Sequence, residues 1–243
     1  MARKSTSIPK YRRRRSSGRG GIFRFLAKLV VGLFLLSILW VIILRFVPPP
    51  VTGTMLGDLF AGRGIAKDWM SLNNMDRDMV RAAIGAEDSK YCAHNGFDIE
   101  AIEDAMKRNA SGGRIRGGST ISQQTAKNVF LWQGGGYPRK AAEAYFTFLI
   151  EQLWGKRRIM EVYLNVAETG IGTYGVEAGA QRYYRHSAAK LTRVEAARIA
   201  AALPAPKRRS VTAATGFTRR HGNAIAARSG VVRNSALDAC VYD

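Results

Sequence analysis

Hydrophobic residues form one long uncharged run near the start of the chain. It extends from Leu29 to Leu44, with Lys28 and Arg45 at its ends. A membrane-spanning helix needs about 20 residues, so the uncharged run alone is short. The flanking cations can, however, extend their charged tips to lipid headgroups. The pattern therefore predicts a single transmembrane helix over residues 22–47, which the three prolines that follow would stop.

The alternatives to an uncleaved anchor are a signal peptide and the core helix of a soluble protein. The apolar part of a signal peptide has about 7–15 residues and ends in small residues, whereas this run ends in Arg45-Phe46-Val47-Pro48. Ten Lys and Arg residues lie on the N-terminal flank of the run, and no acidic residue precedes Asp58. The core helix of a soluble protein gives no reason for such a one-sided excess of positive charge. This asymmetry follows the positive-inside rule and predicts a cytoplasmic N-terminus and an exported domain.

After the anchor, apolar residues recur with helical spacing, and no alternating strand pattern exceeds a few residues. The stretches that begin at Thr120 and Thr192 have the form of capping boxes. The predicted helices cover about residues 76–87, 99–108, 120–131, 138–154, 156–165, 176–184 and 192–203. The sequence therefore predicts a nearly all-α domain.

The same patterns divide the chain into five segments. These are a basic cytoplasmic arm (1–21), the transmembrane anchor (22–47), a membrane-proximal linker or helix (48–75), the main folded domain (76–210) and a C-terminal tail (211–243). The tail is weakly patterned, and we expect it to pack loosely.

Composition and charge narrow the choice of partners. The chain has 243 residues, 47% of them hydrophobic, which is enough for a packed core, and a net charge of +20. Eleven of the 38 Lys and Arg residues precede Asp58. Because the part that can fold is exported, we do not expect a nucleic-acid partner. The Arg12-Arg13-Arg14-Arg15 run suits anionic lipid headgroups instead.

The few cysteines and histidines exclude several kinds of site. Cys92 and Cys240 are too few for a disulfide framework or a metal-cysteine cluster; a single bridge stays open, and unpaired thiols are the favoured interpretation. The three histidines lack the helical pairing of a zinc site. We therefore predict no protein metal site.

Cationic residues of two predicted helices could surround one anion. Pro138 would be the first residue of a helix, which places Arg139, Lys140 and Glu143 on one face beside its positive end. Lys127 follows two glutamines at helical spacing on the preceding helix. Together these cations suit a diphosphate, and in an exported protein that suggests a lipid-linked sugar. The alternative is an ordinary surface ion-pair cluster.

Glu87 is the candidate general base. It ends an apolar helix and precedes Asp88, and a partly desolvated carboxylate beside another can have the raised pKa that a general base requires. The alternative is a solvated helix terminus. We interpret His94, seven residues on, as structural.

Five motifs make the combination specific. In order they are Glu-Asp-x-x-Tyr-x-x-His-x-Gly (87–96), Gly-Gly-Ser-Thr-Ile-Ser-Gln-Gln-x-x-Lys-Asn (117–128), Arg-Lys-x-x-Glu (139–143), Lys-x-x-Ile-Met-Glu-x-Tyr-Leu-Asn (156–165) and Gly-x-Tyr-Gly-Val-Glu (172–177). The stretch from about Val80 to Pro206 resembles the peptidoglycan glycosyltransferases of glycosyltransferase family 51. An anchor plus one domain, with no room for a transpeptidase, is similar to the monofunctional members.

The resemblance implies a lysozyme-like, two-lobed helical fold with a groove at the membrane surface. It implies polymerisation of lipid II onto a growing glycan strand, with inversion at the donor anomeric carbon and release of undecaprenyl pyrophosphate. Carried over by position, Glu87 is the general base and Glu143 the second carboxylate. The implied substrate-binding residues are Ser119, Thr120, Gln123, Gln124, Lys127, Asn128, Arg139 and Lys140.

The resemblance also implies a bacterial inner membrane, a periplasmic catalytic domain, and partners among wall-synthesis or cell-division proteins. A Mg²⁺ or Mn²⁺ ion at the pyrophosphate is a further expectation. Two departures stand out. First, this chain has Gly134-Gly135-Gly136 in a loop where family members often carry an Arg that contacts phosphate; Arg114 or Arg116 could supply that contact instead. Second, Tyr91 replaces the commoner Phe.

Two other functions compete with polymerisation. A lytic transglycosylase or lysozyme would cleave the same glycan with one acidic carboxyl group, but it has no use for three cations beside its second carboxylate. A membrane-tethered wall scaffold would bind without catalysis, and its function would survive the change Glu87→Gln.

Overall fold

The computed structural model describes residues 18–112, 118–212 and 216–242. Its helices are α1 (Gly18–Phe46), α2 (Gly53–Phe60), α3 (Arg77–Glu87), α4 (Ile99–Ala110), α5 (Ile121–Phe130), α6 (Gly136–Leu153), α7 (Gly155–Val166), α8 (Val176–Tyr184), α9 (Arg193–Ala202), α10 (Gly216–Asn234) and α11 (Ala239–Tyr242). The prediction of an all-α fold behind one apolar N-terminal helix is confirmed.

Three short strands form the sheet that the structure describes. They are β1 (Ala66–Lys67), β2 (Glu168–Gly170) and β3 (Thr173–Tyr174), in the order β1-β3-β2. β1 pairs with β3 in parallel, and β2 pairs with β3 in antiparallel. The sheet thereby joins the segment after α2 to the turn after α7. Strands of two or three residues carry no alternating pattern, which is why the sequence does not predict them.

The chain divides into two compact units, Met1–Trp40 and Val41–Asp243. The first contains most of α1, and Gly21–Phe46 is long and apolar enough to cross a membrane, with a mean hydropathy of 2.7. The last residues of α1 belong to the second unit. There Trp154 Nε1 donates to Val41 O at 2.8 Å, and Arg158 Nη2 donates to Leu44 O at 2.9 Å. Arg158 therefore satisfies the carbonyl of Leu44, which the end of the helix leaves free because Pro48 has no N–H to donate.

Two helix groups build the core of the second unit. In one, α3 packs against α9 and α10; in the other, α5 packs against α6 and α7. Met79, Val80 and Ile84 of α3 are fully buried, as are Ile159 and Met160 of α7. Both predicted capping boxes are present, at Thr120 and at Thr192. They fix the starts of α5 and α9 because each saturates two backbone donors that would otherwise be unpaired.

The C-terminal segment differs from the loose tail that we expected. α10 packs against both α3 and α9, and Ile225 and Val232 are buried. Its contact surface also uses small residues. Gly85 of α3 lies so close to α10 that an added Cβ would be 3.3 Å from Arg228 Cβ. Small residues carry little hydrophobic periodicity, and the sequence pattern is therefore weak although the packing is close.

A disulfide bond also holds this segment. Cys92, in the loop after α3, is bonded to Cys240 of α11 across 148 residues of sequence. The favoured expectation of unpaired thiols is therefore wrong. The folded packing of the loop and α11 brings the two Cα atoms to 5.5 Å, a proximity that sequence spacing does not reveal.

We predict that Cys240→Ser lowers the free energy of unfolding of the detergent-solubilised protein by about 2–5 kcal/mol, because the bridge closes a long loop in the unfolded chain. Denaturant titration followed by circular dichroism measures the change. Cys92→Ser should match it, and dithiothreitol should destabilise the wild type but neither variant. Equal stability of oxidised wild type and Cys240→Ser would contradict the prediction.

Candidate active site

The carboxylate of Asp88 joins the end of α3 to the start of α5. Asp88 is 7% exposed, and its Oδ2 accepts from the backbone N–H of Ile121 at 3.0 Å. His94 Nε2 lies 2.9 Å from Asp88 Oδ1. A buried carboxylate is stable here because it is paired with donors and lies at the positive end of a helix. His94 therefore has a structural role, as the sequence suggested.

This junction places Glu87 beside α5. Gln124 Nε2 donates to Glu87 Oε2 at 2.7 Å. Burial raises the pKa of Glu87 above the ordinary 4.5, opposed by the Gln124 hydrogen bond and by the charges of Arg209 and Lys127. The proximity of Asp88 adds to the rise. Glu87 is thus a partly desolvated carboxylate with a raised pKa, rather than a solvated helix terminus.

Helix α6 begins earlier than the sequence suggested. It starts at Gly136, not at Pro138, with Gly135 as its N-cap at φ 88°. A Cβ on Gly135 would lie 2.9 Å from Arg139 Cβ and 3.0 Å from Trp132 Nε1. Only glycine fits this left-handed, crowded position. Pro138 is therefore the third residue of the helix, where its missing N–H still costs no intrahelical bond.

Glu143 is buried and paired on both oxygens. Arg139 Nη1 donates to its Oε2 at 2.6 Å, and Lys140 Nζ donates to its Oε1. Lys140 Nζ also donates to Ser119 Oγ at 3.2 Å. Among the described residues, Arg139 Nε is buried without a hydrogen-bond partner. The predicted face of Arg139, Lys140 and Glu143 is therefore real, and its cations keep unused donor capacity.

Lys127 interacts with both carboxylates. Burial lowers the pKa of Lys127, and the charges of Glu143 and Glu87 oppose that shift while Arg139 and Lys140 add to it. Glu87, Lys127 and Glu143 therefore belong to one electrostatic cluster. A partly desolvated lysine beside two further cations has a strong preference for an anionic partner.

A cleft with a volume of about 450 Å³ opens beside this cluster. α5 contributes Gln124, Lys127 and Asn128 to its wall. Glu168 and the segment from Leu203 to Arg208 also line it. The site is thus an open groove between α5 and the segment that follows α9.

The other predicted groove residues are used differently. Thr120 and Gln123 are buried, and their side chains form the capping box of α5. Ser119 accepts from Lys140 instead. These three residues position α5 and Lys140, whereas the lining of the cleft includes only Gln124, Lys127 and Asn128 of the predicted residues that the structure describes.

A second charged cluster, which the sequence did not indicate, lies around Asp58. This carboxylate is 1% exposed and accepts from Lys207 Nζ at 2.5 Å, from Arg63 Nε at 2.9 Å and from Tyr174 OH at 2.8 Å. Burial alone would raise the pKa of Asp58, but these three hydrogen bonds outweigh it and lower the pKa to about 2. The one signal in the sequence was an acid in the apolar helix Gly53–Phe60.

Two polar atoms in the cleft wall have no hydrogen-bond partner among the described residues: Tyr163 OH and Glu168 Oε1. Burial raises the pKa of Tyr163 well above its ordinary value, and the charges of Glu87 and Asp88 add to the rise. Its hydroxyl group therefore stays protonated and able to donate. The Tyr-Leu-Asn motif contained this residue, but spacing gave it no role.

The described residues contain no group of three or more His, Cys, Asp or Glu side chains able to hold a metal ion. Both oxygens of Glu143 are paired with cations, and one oxygen of Glu87 accepts from Gln124. These carboxylates do not form a preorganised oxygen cage for Mg²⁺ or Mn²⁺.

Comparison with known proteins gives the family. The family model described as Transglycosylase matches residues 53–230. The chain belongs to the transglycosylase family. Curated relatives named biosynthetic peptidoglycan transglycosylase occur in Caulobacter vibrioides (49% identical over 90% of this chain and 97% of that protein), Rhodospirillum centenum (44%; 91% and 96%) and Shewanella oneidensis (46%; 82% and 87%).

Within this transglycosylase, the glycine run at 134–136 has a conformational cause. All three glycines have positive φ, of 82°, 88° and 58°, a region in which arginine would be strained. Arg114 and Arg116, the substitutes that we considered for the missing arginine, lie outside the described residues. The fold also accommodates tyrosine at position 91, where family members commonly have phenylalanine. The buried hydroxyl group of Tyr91 donates a hydrogen bond to Lys156 O at 2.7 Å.

We predict that Asp88→Ala lowers the free energy of unfolding by about 2–4 kcal/mol, because it leaves the N–H of Ile121 and the His94 ring without their buried acceptor. Chemical denaturation measures the loss. Asp104→Ala, on the exposed face of α4, is the matched control and should change stability by less than about 0.5 kcal/mol. Equal stability of the two variants would refute the structural part assigned to Asp88.

Proposed function

We propose that this protein polymerises lipid II into glycan strands. The 4-hydroxyl group of an incoming lipid II attacks the anomeric carbon of the growing strand. A new C–O glycosidic bond forms as the bond from that carbon to the diphosphate oxygen breaks, so the carbon is inverted and undecaprenyl pyrophosphate leaves. The observation that carries the proposal is the desolvated carboxylate of Glu87 in one electrostatic cluster with Lys127 and Glu143.

In this proposal Glu87 takes the proton of the attacking hydroxyl group. A base works best when its pKa lies near the working pH, and burial shifts the pKa of Glu87 in that direction. Gln124 holds one carboxylate oxygen at 2.7 Å, which leaves the other oxygen for the substrate. The Gln124 amide thus orients the Glu87 carboxylate and leaves one oxygen able to accept the proton.

Lys127, Arg139 and Lys140 would stabilise the departing diphosphate. Preorganised cations in a partly dry site stabilise developing negative charge without having to reorganise. Glu143 holds Arg139 and Lys140 in place through its two oxygens. We infer that Glu143 organises these cations rather than exchanging a proton.

Cleavage of the glycan by a lysozyme-like reaction fits the site less well. A hydrolase needs a carboxylic acid to protonate a sugar leaving group, and it gains nothing from three cations at that point. A scaffold without catalysis fits poorly too, because a partly desolvated carboxylate and an open cleft with unpaired polar atoms are costly features for a binding surface.

We propose that α1 anchors the protein in the bacterial inner membrane, with the N-terminus in the cytoplasm and the catalytic domain in the periplasm. The charge asymmetry around α1 supports this orientation. The disulfide supports it independently, since such bonds persist in oxidising compartments such as the periplasm. Wall-synthesis or cell-division proteins as partners remain a proposal that rests on family resemblance.

Participation of a divalent ion at the diphosphate is also a proposal. Mg²⁺ commonly binds through substrate phosphates and one or two carboxylates. If Mg²⁺ or Mn²⁺ takes part here, we expect the diphosphate of the substrate to supply most of its ligands.

We predict that Glu87→Gln reduces polymerisation of purified lipid II by about 10²-fold or more, because the amide cannot accept the proton. Gel separation of labelled glycan measures the product. Glu103→Gln, on the exposed face of α4, is the matched control and should retain activity. Shortened glycan from mature wall, with no polymer from lipid II, would instead identify a hydrolase.

We also predict that Gln124→Leu moves the acid limb of the pH–rate profile to higher pH. The Gln124 hydrogen bond lowers the pKa of Glu87, so its loss raises that pKa, and the base form then appears only at higher pH. Measuring kcat from pH 5 to 9 tests this. An unchanged or lowered acid limb would show that Glu87 is not the titrating base.

A further inference from the structure

Two charged clusters lie at the cleft. In the first, three cations (Lys127, Arg139 and Lys140) exceed the two carboxylates of Glu143 and Glu87 by one.

In the second cluster, Lys207 lies 2.5 Å from Asp58 and 3.6 Å from Glu168, and Arg63 also pairs with Asp58. The two cations and two carboxylates of this cluster balance one another. Arg208, next to Lys207 in the chain, adds one further cation to the lining of the cleft.

Glu168 is unusual within this second cluster. Its side chain is 10% exposed, yet Oε1 has no hydrogen-bond partner among the described residues, and Lys207 Nζ at 3.6 Å is beyond hydrogen-bond distance. A buried carboxylate oxygen without a donor costs free energy. Because Glu168 lines the cleft, a ligand in the cleft can supply the missing donor.

The chemistry of that ligand follows from the neighbouring charges. A second anion is disfavoured beside Asp58 and Glu168, and a cationic amine is disfavoured beside Lys207 and Arg208. A neutral group rich in donors and acceptors suits both residues, since Glu168 accepts and Lys207 donates. Sugar hydroxyl groups and acetamide N–H groups have this character.

We propose that Glu168, together with Lys207, is a substrate-binding and specificity-determining pair that hydrogen-bonds the neutral sugar of the glycan substrate, while the cations near Lys127 hold its diphosphate. The inference rests on the proposed function and deepens it. Glu168 accepts from a hydroxyl or acetamide N–H group of the sugar, and Lys207 donates to a neighbouring sugar oxygen.

The protonation state of Glu168 gives the proposal a signature. Burial raises the pKa of Glu168 to about 7, opposed by Lys207 and reinforced by Asp58. The other groups that face it do not titrate near neutrality: the pKa of Asp58 is about 2, and burial raises those of Tyr174 and Tyr183. Glu168 is therefore a full acceptor above about pH 7 and loses that capacity as the pH falls below it.

The test compares wild type and Glu168→Gln in lipid II polymerisation between pH 5.5 and 8.5. At pH 8 we expect KM to rise about 10-fold in the variant, the usual scale for a lost charged hydrogen bond, with kcat within about twofold because chemistry at Glu87 is intact. The wild-type KM should rise as the pH falls through about 7, and the variant should lack this rise.

Lys207→Met provides a second route if Glu168→Gln folds poorly, since Lys207 is 39% exposed. Without the ammonium group the pKa of Glu168 rises, so the increase in KM should begin at a higher pH than in the wild type. Acetylating the free amine of the substrate should leave the difference between wild type and Glu168→Gln unchanged. If it abolishes that difference, an amine and not the sugar binds Glu168.

The possible outcomes distinguish failure of sugar binding by Glu168 and Lys207 from failure of the proposed polymerase function. If the wild type makes no polymer, the proposed function fails. If the wild type polymerises lipid II while Glu168→Gln and Lys207→Met keep its KM at every pH, the pair does not bind the sugar, and the proposed function stands without it.

Discussion

The hydrogen bond from the N–H of Ile121 to the buried carboxylate of Asp88 is the constraint on which the site depends. It joins the last turn of α3 to the first turn of α5, so Glu87 lies beside Gln124 and in the field of Lys127. The capping box at Thr120 fixes where α5 begins, and the disulfide at Cys92 ties the loop after Asp88 to α11. Several independent contacts thus fix one short segment, as a preorganised site requires.

The distribution of charge along the cleft follows from this arrangement. Glu143 uses both oxygens to hold two cations on α6, while Lys127 lies in the electrostatic field of Glu143 and Glu87. Asp58 does the opposite at the other end, where it accepts from Lys207, Arg63 and Tyr174. One end therefore suits a multiply charged group and the other a neutral polar group. A lipid-linked diphosphate sugar has both parts in sequence.

The sequence predicts the local features well, because they rest on short spacings. The apolar helix α1 follows from one continuous run of residues. Both capping boxes and the shared face of Arg139 and Glu143 depend on residues within a few positions of one another. The Asp58, Glu168 and Lys207 cluster joins three distant segments. The acid within the apolar helix Gly53–Phe60 is a signal, but nothing in the sequence pairs it with the other two residues. The same holds for the Cys92–Cys240 bond and for α10, whose glycine and serine contacts leave little hydrophobic pattern. The sequence places the start of α6 at Pro138 because proline is common at the first position of a helix. The helix begins two residues earlier, after the left-handed Gly135, whose conformation depends on its packing against Arg139 and Trp132.

The most direct test is a crystal structure of the protein with a lipid-linked disaccharide diphosphate in which a methylene group replaces the oxygen between the anomeric carbon and the diphosphate. We expect the diphosphate within hydrogen-bond distance of Lys127, the anomeric carbon facing Glu87, and sugar hydroxyl or acetamide groups extending toward Glu168. A diphosphate bound instead at Lys207 and Arg208, with Lys127 unoccupied, would contradict it.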